Sequence, residues 1–178
     1  MKKSEIRKKI KKLREKNFSK NFQIDFQSIF KLLRKKKSKK RIIGGYYPYN
    51  YEINVIPIME KFERLKYIIS LPKIGQNSNM NFFIWSTNEP LNINKYGIPE
   101  PINNEIIYPD VLLVPLVAYD KNFNRVGYGG GFYDRYLKRI KKIKNVLTIG
   151  LAFSYQKVKK IPIEKNDIKL DFIVTEKN

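Results

Sequence analysis

The stretch GYGGGFYDRYL, Gly127 to Leu137, puts four glycines into five positions ahead of two aromatics, an aspartate and an arginine. Glycine lets backbone N–H groups converge on one point and lets a ligand approach the main chain. A helix starting directly behind adds partial positive charge at its N-terminus. Such a loop favours an anion. It is not the dinucleotide fingerprint, because the third glycine of G-x-G-x-x-G would fall at Phe132, and it is not a Walker A loop, because no Gly-Lys-Ser/Thr follows. A plain glycine-rich turn explains the same string, and Asp134 suits a first helical turn whatever its role. Arg125 before the loop and Arg135 after it favour the anion.

Cysteine and histidine are both absent. Thiolate chemistry, disulfides and imidazole-based triads are therefore excluded, and a reaction here must rest on positioning and charge stabilisation by carboxylates, lysines and arginines. The 37 basic and 16 acidic residues give a net charge of +21. That excess attracts polyanions of any kind, from nucleotide phosphates and polycarboxylates to nucleic acid or an acidic membrane surface, and a lysine-favouring codon usage accounts for part of it. The longest apolar run, Val111 to Tyr119, is too short to span a bilayer and contains Pro115. The N-terminus lacks the apolar region of a signal peptide, so a soluble, cytoplasmic protein is expected.

These residues need a frame. Ile6, Ile10 and Leu13 recur at helical spacing, as do Phe22, Phe26, Phe30 and Leu33, which predicts two helices before Arg41. The basic run Arg34 to Arg41 between them and the next element reads as a solvated helix end and turn. From there RIIGGYY, KYIISLP, NFFIWS, VLLVPLV, VLTIGLAF and DFIVTE read as strands, with helices over Ile53 to Leu65 and Phe132 to Ile143. Gly75 to Asn81 and Asn94 to Glu105 read as loops. Runs such as Val111 to Val117 are apolar without alternation, as in central strands covered on both faces. The predicted fold is a three-layer α/β/α sandwich with a largely parallel, Rossmann-like central sheet and N-terminal helices, one domain over residues 1–178. In such sheets ligands collect beyond the carboxyl ends of strands.

Asp110 to Leu137, DVLLVPLVAYDKNFNRVGYGGGFYDRYL, closely resembles the signature region of the 5-formyltetrahydrofolate cyclo-ligase (methenyltetrahydrofolate synthetase) family. Lys3 to Arg7, Tyr46 to Val55, Tyr96 to Pro101 and Ile149 to Glu176 resemble further segments of that family in the same order, and Gln76 to Lys95 is the part least alike. The resemblance implies conversion of 5-formyltetrahydrofolate to 5,10-methenyltetrahydrofolate, with ATP as co-substrate and Mg²⁺ as cofactor. The formyl oxygen attacks the γ-phosphate to give an imidoyl-phosphate-like intermediate. The folate's other reactive nitrogen then closes the ring, and phosphate departs. Alignment of a phosphoryl group and neutralised charge matter more to this chemistry than a general base.

By the same resemblance, ATP contacts fall on Lys3, Arg7, Arg125, Gly127, Gly129, Gly130, Gly131 and Tyr133, and folate contacts on Tyr46, Tyr47, Glu52, Tyr128 and Phe132. Asp134 and Asp167 match the magnesium carboxylates, with Asp171 an alternative ligand. Family members commonly carry His-Asp where this chain has Asn166-Asp167. A carboxylate can accept bidentate hydrogen bonds from a pterin's amino and ring N–H groups, which is the role implied for Glu52. Trp85 reads as core or pocket edge. The expected partners are ATP and 5-formyltetrahydrofolate, with or without a polyglutamate tail, and neither an obligate protein partner nor a membrane. Two other readings stay open from the residues: a nucleic-acid-binding protein using its basic surface, and an inactive member of the same fold that stores folate.

Overall fold

The computed structural model describes residues 1–18, 23–35, 42–75 and 79–177. The chain begins with α1 (Lys3–Asn17), α2 (Phe26–Lys35), β1 (Ile42–Gly44), α3 (Ile56–Arg64), β2 (Ile68–Ile74) and β3 (Met80–Ile84). Next come short strands β4 (Leu91–Ile93), β5 (Pro99–Pro101) and β6 (Ile106–Ile107), then β7 (Val111–Pro115), β8 (Ala118–Tyr119) and β9 (Arg125–Val126). Helix α4 (Phe132–Ile143), β10 (Leu147–Leu151), a 3₁₀ turn at Ser154–Gln156 and β11 (Phe172–Val174) complete it.

Val111, Leu112, Leu113 and Val114 are all fully buried, as an unalternating apolar run requires when both faces of its strand are covered. Their side chains divide between two cores. Val111 and Leu113 join α2 and α3 residues such as Ile29, Met59 and Phe62, while Leu112 and Val114 join Tyr136, Leu137 and Ile140 of α4. The result is the expected α/β/α layering on a seven-stranded sheet of order β11-β10-β7-β1-β2-β3-β6. The five strands from β11 to β2 are parallel, and β3 and β6 are antiparallel additions at one edge. Helix α1 belongs to neither layer. Its Ile6 and Ile10 pack with Val117, Ala118 and Val126 on the β8–β9 hairpin.

Some expectations need correction. Asn94 to Glu105 is not all loop: Pro99–Pro101 pairs antiparallel with Leu91–Ile93. Asn94 Oδ1 closes the turn by accepting from Tyr96 N at 2.8 Å and Ile98 N at 3.1 Å. Two prolines hid this strand, since proline is tolerated only at sheet edges and strand ends. The helix expected from Ile53 starts at Ile56, where Asn54 Oδ1 accepts from Ile56 N at 3.1 Å and Pro57 sits in the first turn. Met80 and Asn81, expected in a loop, open β3. Phe22, residues 76–78 and most of the Arg34 to Arg41 run lie outside the described residues.

Candidate active site

Strand β1 connects through α3 to β2 on one side, whereas β7 connects through α4 to β10 on the other, with α3 and α4 on opposite faces. Adjacent strands whose connections diverge leave a crevice beyond their carboxyl ends. A cleft of about 660 Å³ opens there, lined by Tyr46 and Tyr47 just after β1, by Pro115 at the end of β7, and by the glycine loop. Its size suits a ligand pocket. The residues singled out above as ATP, folate or metal contacts line it, apart from the alternative ligand Asp171.

The glycine loop supplies one wall. Gly129 (φ +113°) and Gly131 (φ +65°) adopt left-handed backbone that other residues resist. Gly131 is the N-cap of α4, and no side chain caps that helix end, so its first amides retain donor capacity at the positive end of the dipole. Arg7 Nε donates to the Gly127 carbonyl at 2.7 Å, and its guanidinium lies against Gly129.

Two carboxylates flank this wall. Lys3 Nζ donates to both oxygens of Asp167 at 2.7 and 2.6 Å, and lies 3.4 Å from Glu164. Arg125, buried, donates to Asp134 Oδ1 at 2.7 Å and to the Ile168 carbonyl, and Ile168 N donates back to the same Asp134 oxygen at 3.1 Å. Arg125 thus stands behind Asp134 as its anchor. Asp134 Oδ2 carries no hydrogen bond to any described residue.

The loop after β1 supplies the opposite wall. Asn50 (φ +48°) and Tyr51 (φ +60°) take left-handed backbone, a strained choice for a tyrosine that turns the chain back at once. In that turn Glu52 N donates to the Tyr49 carbonyl at 3.1 Å, and Tyr49 N donates to Glu52 Oε2 at 2.9 Å. Glu52 is 7% exposed. Burial pushes its carboxyl up to about 7, against the opposing effects of the Tyr49 amide, the positive charge of Arg14 and the Tyr128 hydroxyl. Tyr46, also buried, donates its hydroxyl to the Ile53 carbonyl at 3.1 Å, while Tyr47 is partly exposed. Burial also raises the Tyr46, Tyr128 and Tyr133 hydroxyls well above the ordinary tyrosine range. The Tyr133 hydroxyl has no partner among the described residues. Phe132 meets Tyr96 of the β4–β5 turn edge-on, with ring centres 6.3 Å apart.

Asp171 does not join the site as an alternative metal ligand. Its Oδ2 accepts from Thr148 N at 2.8 Å and Thr148 Oγ1 at 2.7 Å, tying β10 to the residue before β11, and it does not line the cleft. Trp85 is a core residue. Among the described residues no group of three or more His, Cys, Asp or Glu side chains could hold a metal. Asp134 Oδ2 is a hard oxygen suited to a magnesium ion that takes further ligands from phosphate and water, whereas both Asp167 oxygens are held by Lys3 and one also by the Glu164 amide, so Asp167 would reach such an ion only by giving up part of those contacts. Sequence reasoning missed Arg14 and the wall formed by Asn94, Tyr96 and Glu100. The one signal the sequence holds for Arg14 is its place on a stripe at helical spacing with Lys3, Arg7 and Ile10, which does not by itself tell a buried cation from a solvated one.

Fold and cleft define a doubly wound α/β protein that sets cations and uncapped helix amides beside an aromatic pocket with a buried carboxyl group. The chain belongs to the 5-formyltetrahydrofolate cyclo-ligase family, whose model matches residues 1–176. The 5-formyltetrahydrofolate cyclo-ligase of Haemophilus influenzae is 32% identical over 146 residues, covering 78% of this chain and 76% of that protein. The Escherichia coli protein of the same name is 34% identical over 140 residues, covering 75% of this chain and 76% of its own length. Among solved structures, Aquifex aeolicus 5,10-methenyltetrahydrofolate synthetase superposes with a TM-score of 0.75 at 30% identity, over 100% of this chain and 91% of its own. No helix among the described residues is long and apolar enough to cross a membrane.

Proposed function

We propose that this chain, acting as one domain, converts 5-formyltetrahydrofolate and ATP to 5,10-methenyltetrahydrofolate, ADP and phosphate. The observation that carries this reading is the gathering, in one cleft, of Lys3, Arg7 and the Gly129 to Gly131 amides with Glu52, Tyr46 and Tyr128. The first set suits a triphosphate and the second a pterin.

Lys3, Arg7 and the amides of Gly127 to Gly131 bind the triphosphate and hold its γ-phosphoryl group toward the formyl oxygen. Glu52 accepts hydrogen bonds from the pterin, and the rings of Tyr46, Tyr47, Tyr128 and Phe132 enclose it. As the formyl oxygen bonds to the γ-phosphorus and the bond to ADP breaks, the positive charge of Lys3 and Arg7 offsets the charge shifting onto ADP. The second folate nitrogen then attacks the activated formyl carbon and gives up its proton, and the C–O bond breaks so that phosphate leaves with the electron pair and takes up that proton, directly or through solvent. Tyr133 and Phe132, with Tyr96, restrict water around that carbon. Asp134 and Asp167 would hold Mg²⁺, which when bound neutralises phosphate charge.

The test is direct. Purified protein incubated with 5-formyltetrahydrofolate, ATP and Mg²⁺ should generate the absorbance of the methenyl product, with one ADP formed per product. Folded protein that forms no product overturns the reading.

A further inference from the structure

Arg14 is among the largest fully buried side chains, at 1% exposure. A buried guanidinium is costly unless its charge and donors are met. Yet no carboxylate oxygen of the described residues lies within 4.0 Å of it. Its Nη2 donates to the Tyr128 hydroxyl, its Nη1 donates to the Leu116 carbonyl at 3.4 Å, and its Nε has no partner among the described residues. The guanidinium also lies over the Tyr128 ring, 5.6 Å from its centre. The Tyr128 hydroxyl in turn donates to the Tyr49 carbonyl at 3.3 Å, and Tyr49 N donates to Glu52 Oε2 at 2.9 Å. Glu52 has no ion-pair partner of its own among the described residues. A buried cation and a buried carboxyl group are therefore linked through the Tyr128 phenol and the Tyr49 backbone.

We propose that Arg14 is a positioning residue for the pterin: by donating to the Tyr128 hydroxyl, it commits that hydroxyl's only proton toward the Glu52 side and fixes both groups against the folate. This rests on the folate reading above. The phosphate wall is served by other residues of the same helix, Lys3 and Arg7, two to three turns away. Loss of Arg14 should accordingly weaken folate without weakening ATP, a split that general loosening of α1 would not produce.

The experiment combines calorimetric titration of 5-formyltetrahydrofolate with steady-state kinetics on wild type, Arg14→Met, Arg14→Lys, Tyr128→Phe and the double variant Arg14→Met/Tyr128→Phe. Removing a hydrogen bond to a charged group predicts folate binding weaker by about tenfold or more in Arg14→Met, with a matching rise in its KM. The KM for ATP should stay within about twofold. Arg14→Lys should recover part of the loss, and the double variant should be no worse than Arg14→Met alone, because both changes cut one chain of contacts. Unchanged folate binding in Arg14→Met, or equal losses for folate and ATP, overturns the proposal. If Arg14→Met does not fold, Tyr128→Phe decides: selective weakening of folate supports the chain of contacts, and unaltered folate binding overturns it. A wild-type protein that does not bind 5-formyltetrahydrofolate overturns the folate reading itself, and the role of Arg14 with it.

Discussion

Lys3 and Asp167, 164 residues apart in sequence, meet with the lysine ammonium between both carboxylate oxygens at 2.7 and 2.6 Å. The contact joins α1 to the segment before β11, at the cleft margin. The pair is partly buried, with side-chain exposures of 10% and 26%, so it should contribute somewhat more than the roughly 1 kcal/mol ceiling of exposed pairs, with its larger effect in binding. Lys3→Met should raise the KM for ATP by about tenfold or more, as loss of a charged contact does. Its melting temperature should fall by only a few degrees. Calorimetric melting beside ATP-dependent kinetics checks the two effects separately. A large loss of stability with an unaltered KM would make Lys3 a structural clamp.

Asp134 should separate chemistry from folding in the same manner. Asp134→Asn weakens the bond to Arg125, but the Ile168 carbonyl still accepts from that guanidinium. The stability cost should be about 1–3 kcal/mol, the range for a buried group that loses a partner. Turnover should fall by about a hundredfold or more if the carboxylate holds the ion that neutralises phosphate. Raised Mg²⁺ should restore part of it. Denaturant unfolding and a Mg²⁺ titration of the rate measure both, and an unchanged rate removes Asp134 from the site.

Glu52 predicts a pH signature. Its carboxyl titrates near 7 in the folded chain against 4.5 for the ordinary group. The folded state therefore holds a proton that the unfolded state has released between those values. The stability this contributes is fully present below about 4.5 and is lost as pH rises through 7. The groups facing it are Arg14, Tyr46, Tyr128 and Tyr133. The tyrosines stay neutral through this window because burial raises them further. A pterin that donates hydrogen bonds selects the ionised form, so folate affinity should strengthen as pH rises toward and through 7. Binding and melting from pH 5 to 8 test both slopes, and Glu52→Gln should flatten them.

The glycine loop predicts a contrast between neighbours. A Cβ at Gly127 meets nothing within 4 Å, whereas Gly129 holds φ +113°. Gly129→Ala should cost about 1–2 kcal/mol from backbone strain and weaken ATP binding. Gly127→Ala should change stability by less than about 0.5 kcal/mol. Thermal unfolding of both variants distinguishes conformational need from mere glycine content.

Regular apolar patterns were legible in the sequence because they were strong. The unbroken run Val111 to Val114 announced a doubly covered strand, and the stripe from Phe132 to Ile143 announced α4 with its observed bounds. The β4–β5 pairing was illegible because two prolines and three-residue strands carry no period. At the site, the glycine loop raised an anion as a candidate but could not choose it over a turn. Bringing Glu52 to the same cleft depends on β1 and β7 lying side by side in the sheet, which no local pattern encodes. Arg14 was overlooked because a lysine-rich helix reads as wet on every face, and only packing reveals which cation is dry.

Helix α1 touches the rest of the molecule through side chains, Ile6 and Ile10 against the β8–β9 hairpin, Lys3 and Arg7 at the cleft, and Arg14 buried against Tyr128. Among the described residues no backbone ladder holds it. A clasp of this kind releases at lower cost than any strand of the sheet, so α1 amides should exchange with solvent well before those of β7 and β10. Substrates that grip its cations would slow that exchange, making the helix a built-in reporter of occupancy.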